Sequence, residues 1–134
     1  MPVNKVVARF ADGRVVKGMT MDFFPAKPLF HVSVVGAPPG TPPMEINAND
    51  LKALFFVKDL AGNPAYVESK EFDPQRVVAG RKIRVLFKDG EVLVGTTTGY
   101  QPGRTGFFVE PADGGSNNER CYVVTAATAE VTFT

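Results

Sequence analysis

Apolar residues along this chain fall mostly in short alternating runs bounded by Gly, Pro and Asp, and they seldom recur at helical spacing. From Val3 to Phe10 the pattern is that of a strand, and Asp12-Gly13 closes it with a turn, since glycine accepts the positive φ that tight hairpins demand. Arg14 to Phe24 reads as a long second strand that can bend at Gly18, ended by Pro25 and Pro28. Leu29 to Val35 forms a third strand, Gly36 to Pro43 a stiff loop, Met44 to Asn47 a short fourth strand, and Leu51 to Val57 a fifth. The segment Asn49 to Lys58 also admits a helix capped by Asp50. Its later counterpart, Ala126 to Thr134, is rich in Thr and Val and alternates like a strand, so the strand is preferred, with a turn over Asn47 to Leu51.

That counterpart exists because the pattern recurs. FADGRVVKG at Phe10–Gly18 returns as FKDGEVLVG at Phe87–Gly95, an offset of 90 − 13 = 77. The offset holds without a gap to the C-terminus, pairing Lys5 with Lys82, Pro25 with Pro102, Phe30 with Phe107, Ile46 with Val123 and Phe56 with Phe133. The expected architecture is all-β: two tandem five-stranded small barrels of the SH3 type, packed together. The N-terminal barrel covers 1–57 (the repeat itself starts at 3), a linker covers 58–79, and the C-terminal barrel covers 80–134. Gly62, Pro64 and Pro74 punctuate the linker, in which Tyr66 to Phe72 is a candidate edge strand.

The strand–Asp-Gly–strand–Gly–strand plan resembles the Sm-like barrels. That resemblance implies RNA binding through an Asp- or Asn-containing loop after the second strand and a basic turn between the last two strands. Asp22 matches the first feature, but its counterpart is Gly99, and the turns Asn47 to Asp50 and Val124 to Ala127 lack an Arg-Gly pair. The segment Asp50 to Gly62 is also similar to an uncharacterised bacterial domain family of unknown function.

Composition narrows the function classes. Fifteen basic and fourteen acidic residues give a net charge of +1, so bulk charge favours neither nucleic acid nor a membrane surface. No apolar run reaches the ~18 residues of a membrane span, and the N-terminal stretch has no signal-like apolar region. One cysteine, Cys121, precludes an internal disulfide, and a cytoplasmic location is expected.

Catalytic chemistry finds few candidates. His31 is the only histidine, which excludes a multi-histidine metal site, and it points outward with Leu29 and Ser33 while Phe30, Val32 and Val34 face the core. Cys121 reads as a small buried residue, and no serine lies in a nucleophile elbow. No enzyme and no cofactor are expected. The copies differ most where side chains face away from their own barrel. Phe55 and Val57 correspond to Thr132 and Thr134, and Phe108 corresponds to His31, which makes Phe55, Val57, Phe108 and His31 the candidate interface residues. The expected partner of Phe55 and Val57 is the linker, the second copy or another chain. Two functional readings stand: protein recognition or self-association in a regulatory setting, through an outward strand face or a free edge; and RNA or single-stranded DNA binding by Lys82, Arg84 and Lys88, beside an outward aromatic such as Phe108.

Overall fold

The computed structural model describes residues 3–62, 65–66, 70–72, 80–101 and 103–133. Ten antiparallel strands carry the chain: β1 (Asn4–Phe10), β2 (Val15–Thr20), β3 (Leu29–Val34), β4 (Met44–Asn47), β5 (Leu51–Val57), β6 (Arg81–Phe87), β7 (Val92–Thr97), β8 (Gly106–Pro111), β9 (Asn118–Val124) and β10 (Thr128–Phe133). A single 3₁₀ turn precedes β5 (Ala48–Asp50) and another precedes β10 (Thr125–Ala127). The protein is all-β, and its strands form one sheet in the order β10-β6-β7-β8-β9-β5-β1-β2-β3-β4.

Strand bounds and register follow the 77-residue offset. β1, β2 and β3 start at 4, 15 and 29; β6, β7 and β8 start at 81, 92 and 106. Lys5 pairs with Met19 as Lys82 pairs with Thr96, and Gly18 pairs with Val34 as Gly95 pairs with Pro111. Asp12-Gly13 and Asp89-Gly90 turn their hairpins with glycine φ of 99° and 94°. At Gly18 and Gly95 the need is steric: a Cβ would run into the carbonyl oxygen of Ser33 or Glu110 on the next strand. Those glycines let β3 and β8 pass close to β2 and β7.

Three features depart from the sequence-based expectation. The second strand ends at Thr20, not Phe24. Asp22 turns back to accept the backbone N–H of His31, and Phe23 swings into an aromatic cluster, so the chain leaves the ladder. Secondly, the halves are joined by more than packing. β5 pairs with β9 along its length (Leu54 with Tyr122, Phe56 with Arg120), which makes the sheet continuous. Thirdly, the candidate edge strand at 66–72 is not strand at Tyr66 or at 70–72, and 67–69 lie outside the described residues.

Two apolar cores result, and each borrows from the other half. One gathers Val6, Phe30, Val32, Ile46, Leu54 and Phe56 of the first half with Tyr122 and Val124 of the second. The other gathers Ile83, Val85, Phe107, Val109, Cys121 and Val123 with Val7, Ala53, Phe55 and Val57 of the first. β5 and the Cys121–Val124 part of β9 bury side chains on both faces and so fill both cores, while ladders on both sides of each strand satisfy their backbone groups. Across the same join Lys52, 9% exposed, reaches the hairpin turn of the second half. Its ammonium bonds the Asp89 carboxylate at 2.7 Å and that of Glu91, and lies 4.7 Å from the Phe87 ring centre. Held by that ammonium and by the Glu91 N–H, against a smaller effect of burial, the Asp89 carboxyl titrates below its ordinary value.

Candidate functional site on the first half

The outward face of β2 and β3 is the distinctive surface of the molecule. Among the described residues, nine of the ten large apolar side chains left exposed belong to the first half, and none belongs to residues 80–133. Alternation explains their placement. Phe30 and Val32 point inward on β3, so Leu29, His31 and Ser33 point out; Val34, expected in the core, is exposed at the strand end, and on β2 the inward Gly18 and Thr20 leave Met19 outward. Val3, Met19, Met21 and Val35 line a groove of about 610 Å³, with Leu60 of the connecting segment along one side and Asp22 and His31 in its wall.

The polar wall is tightly built. The Asp22 carboxylate accepts the His31 backbone N–H at 2.9 Å and the Thr20 hydroxyl at 3.2 Å, and meets His31 Nδ1 at 2.7 Å. Partial burial disfavours its charge, but the bonds from His31 and Thr20 outweigh that and hold the carboxyl below its ordinary range. On the other side of the ring, His31 Nε2 lies 3.7 Å from Glu45. The imidazole thus bonds Asp22 on one side and faces Glu45 farther off on the other, and the two carboxylates make this edge of the groove acidic. Among the described residues no group of three or more His, Cys, Asp or Glu side chains is placed to hold a metal ion.

The other sequence candidates lie elsewhere. Phe55 and Val57 are buried in the second core. Phe108 is half-buried where the halves meet. Its ring lies 5.2 Å from Tyr122, 6.1 Å from Phe56 and 6.4 Å from Phe23, with the Arg120 guanidinium 4.8 Å from its centre. His31 is exposed, so the four interface candidates do not form one surface: three sit at the internal join and one in the groove. Lys82 and Arg84 project outward from β6, whereas Lys88 lies past the strand end in the hairpin turn. Lys82 covers the Phe72 ring at 4.8 Å, and Phe108 is engaged by Arg120 instead. Cys121 is buried in the second core.

Met19, Met21 and Val35 were not among the sequence candidates. The signal was present: their counterparts are Thr96, Thr98 and Ala112, smaller or more polar in each case.

The fold and groove define an all-β protein with an apolar groove on one half of a continuous sheet. More particularly, the chain belongs to a family of unknown function, DUF6982, whose family model matches residues 3–134. No curated protein and no solved structure matches it.

Proposed function

We propose that this protein is a non-enzymatic interaction module, a tandem of two SH3-like, Sm-like barrels that recognises a protein partner at the groove of its first half. The barrel reading draws on the five-strand order repeated in each half, the glycine in each second strand that lets the third approach closely, and the 3₁₀ turn before each last strand. The observation that carries the recognition reading is the concentration of exposed apolar side chains around Met19 and Met21, which are 40% and 59% exposed. Flexible methionines adapt to varied apolar side chains. The acidic rim of Asp22 and Glu45 selects for a cationic group nearby, so the favoured ligand is an extended segment with apolar residues and a Lys or Arg. A cytoplasmic setting suits such a module; no helix among the described residues is long and apolar enough to cross a membrane.

Selection from a displayed library of random dodecapeptides tests this reading. Enriched peptides carry apolar residues beside a basic one, and a Met19→Glu/Met21→Glu variant binds them at least about tenfold more weakly, a loss of about 1.4 kcal/mol. A Thr98→Glu variant, altered at the counterpart of Met21, binds them unchanged. Absence of enrichment, or equal binding by the first variant, overturns the reading.

A second reading, nucleic-acid binding, draws on Lys82 and Arg84 side by side on the outward face of β6. Fluorescence anisotropy with mixed single-stranded oligonucleotides at low salt tests it. Phosphate contacts would appear as an affinity that falls steeply with added salt and with Lys82→Ala/Arg84→Ala.

A further inference from the structure

Among the described residues the sheet has one internal join and two ends, and the duplication makes them counterparts. β5 and β9 form the join. The ends are β4, which corresponds to β9, and β10, which corresponds to β5. Shape alone therefore allows β10 of one chain to pair with β4 of a second copy as β5 pairs with β9. Moving the internal register by 77 residues sets Val131 (54 + 77) opposite Glu45 (122 − 77), and Phe133 opposite Pro43.

Side chains at the ends reverse the chemistry of the join. On the β9 side, Phe108, Tyr122 and Val124 pack into the first core; their counterparts on the β4 side are His31, Glu45 and Asn47. On the β5 side, Val7, Ala53 and Phe55 pack into the second core; their counterparts on the β10 side are Arg84, Glu130 and Thr132. All six apolar positions are polar or charged at the ends. The backbone differs too. β9 has seven residues and β4 four, because Pro42 and Pro43 stand where β9 continues through Glu119 and Arg120. Proline offers no N–H to a ladder, and proline or charge on an edge strand discourages pairing.

We propose that β4 and β10 are end caps, which stop the chain from repeating its own internal join with further copies and limit the sheet to ten strands. A second copy docked in this register would bury Glu45 and Asn47 where Tyr122 and Val124 sit, and Glu130 and Thr132 where Ala53 and Phe55 sit, without the hydrogen bonds that burial requires. The inference stands apart from the groove reading, since it concerns the edges and not the outward face.

The test restores the join at the ends in two separate chains. One carries Pro42→Glu, Pro43→Arg, Glu45→Tyr and Asn47→Val; the other carries Arg84→Val, Glu130→Ala and Thr132→Phe. Sedimentation velocity follows each alone and mixed, with circular dichroism confirming that both fold. The expected result is a 1:1 complex on mixing that does not form when either variant is mixed with the unaltered chain. Folded variants that stay separate when mixed overturn the proposal. The unaltered chain gives a second test, independent of whether the variants fold. Any concentration-dependent association it shows should be unchanged by Glu45→Lys and by Thr132→Lys; association that either substitution abolishes overturns the proposal.

Discussion

The two halves share strand bounds, register and turn chemistry, yet present opposite surfaces. At the join the first half offers Phe55 and Val57 and the second offers Tyr122 and Val124, and all four are buried. On the outward face the first half exposes Met19 and Val35 where the second buries Thr96 and Ala112. The scaffold is therefore indifferent to what its outward positions carry, and those positions decide which surface becomes core, which end and which binding face. A domain this small buries too little surface alone to be robust, and sharing β5 and β9 between two cores answers that weakness.

The strongest way to break the comparison is to give the join the residues of the free end. Phe55→Thr with Val57→Thr copies Thr132 and Thr134 into β5. The change removes a large ring from a packed core and places two hydroxyls there, so a loss of about 4 kcal/mol or more is expected. Against a typical total of roughly 5–15 kcal/mol this leaves the protein close to unfolding. Urea denaturation followed by circular dichroism measures it; a midpoint within error of the parent would mean that the β5–β9 join holds little of the fold.

Where the halves agree, the same lesion should cost the same. Gly18→Ala and Gly95→Ala each drive a methyl group into a backbone carbonyl that cannot yield like a side-chain tip. Each is expected to lose about 2–3 kcal/mol. A large difference between the two midpoints would show that the two crossings are not equivalent in solution.

Lys52 tests a contact that only one half makes, since its counterpart is Ala129. Lys52→Met keeps the packing over Phe87 and removes the charge, leaving Asp89 and Glu91 more than half exposed to water, so the loss at neutral pH is about 1 kcal/mol or less. Its pH dependence carries the information. Asp89 titrates below 3.8 in the folded protein, so its share of stability is present above the unfolded value and disappears as pH falls through the folded one. The gap between parent and variant should be level from about pH 7 to 5 and close below about pH 4. Urea midpoints at three pH values decide it, and a gap that persists in acid would assign the effect of Lys52 to packing.

Much of this fold is legible in the sequence because period-two alternation and Asp-Gly turns are local signals. Phe30 and Val32 facing in, Leu54 and Phe56 opposed to Phe55 and Val57, and the correspondence of Phe10 with Phe87 all follow from spacing. The β5–β9 pairing is not local. Outward apolar residues on β5 show that something covers them, but whether linker, second copy or another chain does so depends on the meeting of Phe55 with Cys121 and Leu54 with Tyr122 across more than sixty residues. The early end of β2 was hidden for a similar reason. Asp22 leaves the strand for His31, nine residues on, and Phe23 for Tyr122 in the other half, neither of which alternation reveals. The groove was readable only by comparing outward positions between halves, since a lone exposed methionine is unremarkable.

The smallest expected change in stability is also the most specific for function. Met19→Thr with Met21→Thr gives the first half the outward residues of the second, Thr96 and Thr98. Both methionines are exposed, so truncating them leaves stability within about 0.5 kcal/mol of the parent. Peptides selected on the parent should nevertheless lose most of their affinity, because the groove loses both of its methionines while the Asp22–His31 rim is untouched. Asp22→Asn with Glu45→Gln removes the charge of the rim and should relax the preference for a basic residue while keeping apolar binding. If both variants bind as the parent does, the exposed apolar face is not where this protein meets its partner. If only the threonine variant loses binding, the methionines supply affinity and the rim adds little selectivity.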